Sequence, residues 1–148
     1  MKRTGSPTFK KGWYKHEKFG KKIKLFFNDI KYAHQRIKYG WCDKDTWDMD
    51  MWFLNVIPQM LRHLRKNTHG YPATMTMEEW DRTLGRMIYL FEEADANKCH
   101  QKNEYGVCPS KKNMQKWMDR SIEIDNYRAE CLHKGLRLFS KHFYNLWD

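Results

Sequence analysis

The sequence predicts an all-α protein, a single-domain bundle of about four helices behind a basic, partly irregular N-terminal arm. Three observations carry this. Apolar residues recur at three-and-four spacing in four separate stretches, the period of a helix with one buried face. Helix-start and helix-stop residues fall between those stretches, and no run shows the strict alternation of a half-buried strand. With 148 residues, 41% of them hydrophobic, the chain can bury one core of useful size.

The arm is residues 1–20, a basic stretch interrupted by Gly5, Pro7, Gly12 and Gly20, and the helical domain is 21–148. The first helix is expected over 21–38. Ile23, Phe26, Phe27, Ile30, Ala33 and Ile37 make one apolar face, to be turned inward, and Gly40 supplies the stop. A second helix is expected over 45–67. Asp43 or Asp45 caps it, Asp48 and Asp50 favour its first turn, and Trp47, Asp50, Met51, Leu54, Ile57, Met60 or Leu61, and Leu64 form its buried stripe. Pro58 should kink this helix or restart it.

The third helix, 77–95, has the clearest start. Thr76 and Glu79 form an S/T-x-x-E capping box, ahead of a stripe of Trp80, Leu84, Met87, Ile88, Phe91 and Ala94. Residues 96–109 show no periodicity and read as a loop. The fourth helix, 110–146, is expected to break near Gly135. Its stripe is Met118, Ile122, Ala129, Leu132, Leu136, Phe139, Phe143 and Leu146.

From residue 35 to 95 the chain resembles a family of small proteins encoded by bacteriophages and prophages. The shared landmarks are Gly40-Trp41, Asp45-Thr46-Trp47 with Asp50, Gly70-Tyr71-Pro72, Thr76 to Trp80, and Met87-Ile88 with Phe91. The resemblance implies a phage-type origin, hence a bacterial host cytoplasm, and a helical fold. It carries no catalytic residues with it.

Charge is the main functional clue. Residues 1–40 hold twelve Lys or Arg against Glu17 and Asp29, while the remaining 108 residues hold sixteen of each sign. Such concentration is the habit of basic arms that meet a polyanion. Here the cations are interleaved with rings: Lys10, Lys11, Trp13, Tyr14, Lys15, Lys18, Lys21, Lys22 and Lys24, followed by Lys31. Lysines neutralise phosphates and release counterions, and rings stack on exposed bases. Arg62, Arg65 and Lys66 make a second basic cluster, and Lys111, Lys112 and Lys116 a third.

The expected function is therefore non-enzymatic binding of a nucleic acid or an anionic nucleotide. The alternative is an anti-defence inhibitor that occupies a nucleic-acid channel of a host bacterial protein, and a sponge for signalling nucleotides is a lesser one. Zinc is a weak candidate cofactor. Cys99, His100 and Cys108 are ligand types, but the two cysteines lie nine positions apart and not in a tight C-x2–4-C pair. No phosphate-cradling glycine loop, H-E-x-x-H or G-x-S-x-G motif occurs. No apolar run approaches the ~18 residues of a membrane span, so no membrane partner is expected.

Overall fold

The computed structural model describes residues 19–106 and 109–147, with side chains from residue 25 onward. It contains four α-helices: α1 (Phe19–Tyr39), α2 (Met49–Asn67), α3 (Met77–Ala94) and α4 (Met114–Lys141). Short 3-10 turns occur at Asp43–Thr46, Lys111–Asn113 and Phe143–Asn145, and no strand occurs among the described residues. No helix among them is long and apolar enough to cross a membrane. The expectation of an all-α chain with about four helices holds.

The helices fall into two units, Met1–Asp48 and Met49–Asp148. The first contains α1 and the turn after it. Gly40 ends the helix at φ +78°, in the left-handed region that glycine adopts without a Cβ penalty, and its N–H reaches back to the Arg36 carbonyl at 3.0 Å. The inward apolar face expected for this helix needs correction. Phe26, Phe27, Ile30 and Ile37 are between 51% and 86% exposed. Among the described residues of this unit, α1 and one short turn offer too little surface to cover the stripe of a 21-residue helix.

A second correction concerns the start of α2. Asp43 and Asp45 belong to the separate 3-10 turn, and α2 begins at Met49. Trp47, placed by periodicity on the buried stripe, lies in the connection between them and is 89% exposed. Pro58 is buried inside α2, which continues through it to Asn67.

In the second unit, α3 packs against both α2 and α4 and supplies most of the core. Its capping box forms as expected. Thr76 Oγ1 accepts the Glu79 N–H at 3.2 Å, and Glu79 accepts the Thr76 N–H at 2.8 Å. Trp80, Leu84, Met87, Ile88, Phe91 and Ala94 are all buried, joined by Leu54 and Leu61 from α2. Rings of Phe53, Phe91 and Phe139 meet edge to face at 5.5 to 6.3 Å, one from each helix.

The fourth helix does not break at Gly135. That residue is buried where α4 crosses α3, and a Cβ there would lie 3.0 Å from Phe91 Cε1, so glycine permits the close approach. The core-facing side of α4 agrees with expectation in part. Leu132, Phe139 and, past the helix end, Leu146 pack against the core as the stripe predicts, while Met118, Ile122 and Ala129, with Leu136 and the Phe143 of the following turn, are exposed. Cys131 and Gly135 are buried beside them, small residues that the stripe did not include and that let the helices pack closely.

Candidate functional site

The basic N-terminal unit is the first candidate. Lys10, Lys11, Trp13, Tyr14, Lys15 and Lys18 lie outside the described residues. Lys21, Lys22 and Lys24 stand on the first turns of α1, and their side chains lie outside the described set. From residue 25 onward the picture is mixed. Phe26 and Phe27 form an exposed edge-to-face pair at 6.0 Å on α1, which carries no acid in its first turn. Lys31, expected to face a ligand, donates instead to Asp43 at 2.7 Å, and both side chains are more than half exposed. Lys38 lies over the Tyr39 ring at 5.1 Å.

A tighter pair holds the corner after α1. Asp45 is buried, and it accepts two hydrogen bonds from Arg36, at 2.5 and 3.1 Å, and one from the Cys42 N–H at 2.9 Å. Burial works against the Asp45 carboxylate, but those bonds prevail and hold its pKa below the ordinary value. The lowered pKa fixes the sign of the pH dependence. The pair's contribution is complete above the unfolded-state pKa of about 3.9 and fades as the pH falls through the lower folded-state value. Asp45→Ala is expected to cost about 2 kcal/mol and to loosen residues 41–46, because Arg36 and the Cys42 N–H lose an acceptor in a partly dry place. Amide exchange at residues 41–46 checks this; unchanged protection there would contradict it.

A second cluster lies in the C-terminal unit, where Cys99 and His100 were candidate zinc ligands. Both are drawn to Glu93, a residue near the end of α3 that periodicity did not single out. Its carboxylate is only 7% exposed and is bonded by the His100 Nδ1, the His100 N–H at 3.4 Å and the Tyr127 hydroxyl at 3.0 Å. Cys99 Sγ lies 3.7 Å from the same oxygen. Burial opposes the Glu93 charge, but the bonds from His100 and Tyr127 outweigh it and lower its pKa.

The neighbouring groups shift the other way. The Tyr127 phenol is pushed far up by its hydrogen bond with Tyr89, by burial, and by Cys131 and Glu93. Burial raises the Cys99 thiol, so at neutral pH it is protonated and a weak ligand and nucleophile. Cys108 lies outside the described residues. Among the described residues no three His, Cys, Asp or Glu side chains are placed to hold a metal ion. What the cluster does is join α3, the loop and α4.

The loop itself is tied down further. Asn103 donates to the Trp117 carbonyl at 2.9 Å and to Ser121 Oγ at 2.8 Å, and the Trp117 indole donates to the Gly106 carbonyl at 2.7 Å. Asp95 accepts the Asn97 N–H at 2.9 Å and pairs with Lys98 at 2.9 Å.

The second basic cluster is largely occupied. Arg65 forms a two-pronged pair with Asp81, at 2.6 and 2.7 Å, and Arg62 pairs with Glu92. Lys66 is exposed. No protein-family model, no curated protein and no solved structure matches this chain. The site must be read from its own chemistry. One open groove of about 400 Å³ lies beside the start of α3, with Arg82 and Arg86 along it and Met75 and Leu138 as apolar lining. Its basic character is diluted. Arg82 donates to the Glu78 carbonyl at 3.3 Å, and Glu79 also lines the groove.

Proposed function

We propose that this is a non-enzymatic, phage-type accessory protein whose N-terminal unit binds a nucleic acid. One observation carries the reading: the division of charge follows the division of the fold. The unit Met1–Asp48 holds thirteen basic and five acidic residues, while Met49–Asp148 holds fifteen and thirteen. The ion pairs sharpen it. Asp43 and Asp45 draw on Lys31 and Arg36, toward the end of α1. The lysines of the arm and the first turns of α1 stand before both of these pairs in the chain, with Phe26 and Phe27 next to them as exposed rings.

Phosphates take the lysines, and unpaired bases take the rings, so a single strand is the favoured form. Arg62 and Arg65 contribute little in this reading, since each already holds a carboxylate. The nucleotide version of the reading draws on the groove at Arg82 and Arg86.

The test compares two triple reversals by fluorescence anisotropy with a labelled single-stranded DNA. Lys21, Lys22 and Lys24→Glu is expected to weaken binding by more than about tenfold at low salt, from the loss of three phosphate neutralisations. Lys111, Lys112 and Lys116→Glu should change it by less than about threefold. Equal losses would contradict an N-terminal site. Titration of a nucleoside triphosphate supplies the other arm: binding abolished by Arg86→Ala would move the anion site to the groove.

A further inference from the structure

The stripe along α4 and the turn after it, apolar except for Asp125, has a regular construction and meets the core along only one edge. Met118, Ile122, Asp125, Ala129, Leu132, Leu136, Phe139, Phe143 and Leu146 follow alternating steps of four and three, the spacing of a helix that pairs lengthwise with another. Leu132, Phe139 and Leu146 are half-buried against the core of their own unit. The other edge is left in the open: Met118 is 45% exposed, Ile122 57% and Leu136 40%, with Ala129 and Asp125 exposed between them and Phe143 exposed in the turn past the helix.

Two features of this row identify its occupant. The first is its symmetry. Ala129 is the smallest side chain in it, and Ile122 and Leu136 stand seven residues to either side. A two-fold axis at Ala129 would bring two helices together over the small residue and set Ile122 of each copy against Leu136 of the other. The second feature is charge. Residues 114–130 hold four acids, Asp119, Glu123, Asp125 and Glu130, against three bases, whereas 131–147 hold three bases, Lys134, Arg137 and Lys141, and no acid. Antiparallel pairing about Ala129 places the acidic half of each helix alongside the basic half of its neighbour. Parallel pairing would oppose like with like.

The charges are available for this exchange. Glu123 pairs with Arg120, Asp125 with Arg128 and Glu130 with Lys134, all one turn apart and with carboxylates 62% to 68% exposed. Exposed pairs of this kind contribute about 0.3–0.5 kcal/mol and are cheap to rearrange.

We infer that α4 is a self-association surface: two copies of this chain pair antiparallel through Ile122, Ala129 and Leu136, with a two-fold axis at Ala129. This rests on α4 alone and is independent of the nucleic-acid reading. A patch on one helix spans about 27 Å from Met118 to Leu136, less than a standard interface of about 800 Å² per partner, so the dimer is a weak one.

Sedimentation velocity of the full chain from about 1 to 300 μM tests it, a range that brackets weak association. The expected result is a concentration-dependent monomer–dimer equilibrium. Ile122→Glu and Leu136→Glu should each weaken it at least tenfold while leaving the melting temperature nearly unchanged, as solvent-facing substitutions do. In a Cys108→Ser background, Ala129→Cys should cross-link to its own copy under copper–phenanthroline oxidation, and Lys134→Cys should not. A chain that stays monomeric throughout, a dimer indifferent to both glutamates, or growth beyond a dimer would each overturn the proposal.

Discussion

Replacing Glu93 by Ala is expected to remove about 2–3 kcal/mol of stability, the cost of leaving interior hydrogen-bond donors without their shared acceptor. The carboxylate is the acceptor on which His100, Tyr127 and Cys99 converge, and each comes from a different part of the chain than the end of α3. With alanine there, the Tyr127 hydroxyl loses an acceptor in the interior and the loop loses its anchor at His100. Glu93→Gln keeps the shape and one acceptor oxygen, and it should cost only about 1–2 kcal/mol.

The pH dependence has a definite sign. The folded-state pKa of Glu93 is lowered, so its contribution is whole above the unfolded value of about 4.3 and is lost as the pH falls through the folded value. Asp95 shares the direction, because its bonds to Lys98 and Asn97 outweigh burial. Urea unfolding at neutral and acid pH checks both statements. A Glu93→Ala variant as stable as the parent, with the same acid response, would show that the network contributes nothing net.

Trp80→Ala is expected to cost more, about 3–5 kcal/mol, by a different route. The ring is 1% exposed, packs into the α2–α3–α4 core and meets the His142 ring edge to face at 5.6 Å. Alanine leaves a cavity that close-packed neighbours fill only in part. Set against a typical domain stability of 5–15 kcal/mol, such a loss places the variant near the threshold of folding at growth temperature. Trp47→Ala is the matching control. That ring is 89% exposed, and its removal should shift the unfolding free energy by no more than about 0.5 kcal/mol. Equal effects at the two tryptophans would refute the described core.

How much of this was legible in the sequence follows from where each signal resides. The capping box of α3 involves residues three apart and was readable outright, as was its apolar stripe, because α3 is flanked on both sides and its pattern has one interpretation. For α1 and α4 the pattern was readable but its meaning was not. A helical stripe says which residues share a face, and nothing about whether a partner covers it. Phe26, Ile30 and Ile37 are exposed, and among the described residues of their unit none covers them. In α4 the stripe was right along one edge: Leu132 and Phe139 pack on the core beside Cys131 and Gly135, which size alone did not mark, while Met118, Ile122 and Leu136 stay exposed.

The polar sites were the least legible. Cys99 and His100 drew attention as metal-ligand types, but the residue that gathers them, Glu93, lies seven positions before His100 and 34 before Tyr127. A glutamate beside Leu90, Phe91 and Ala94 on the inner face of α3 was the available sign, since a carboxylate so placed requires donors. The Arg36–Asp45 corner was hidden similarly. Asp45 looked like a cap for α2, and it is instead the acceptor that closes the turn after α1. The charge excess of the first forty residues, by contrast, needed no fold to be seen.

The most direct test of that excess is the affinity of the full-length protein for a single-stranded oligonucleotide, measured across about 50–300 mM salt. Engagement of six or more lysines with phosphates predicts a log–log slope steeper than about −4, from roughly −0.7 per contact on a single strand. A slope near zero, or no binding at the lowest salt, would contradict the reading of the N-terminal unit as a polyanion site.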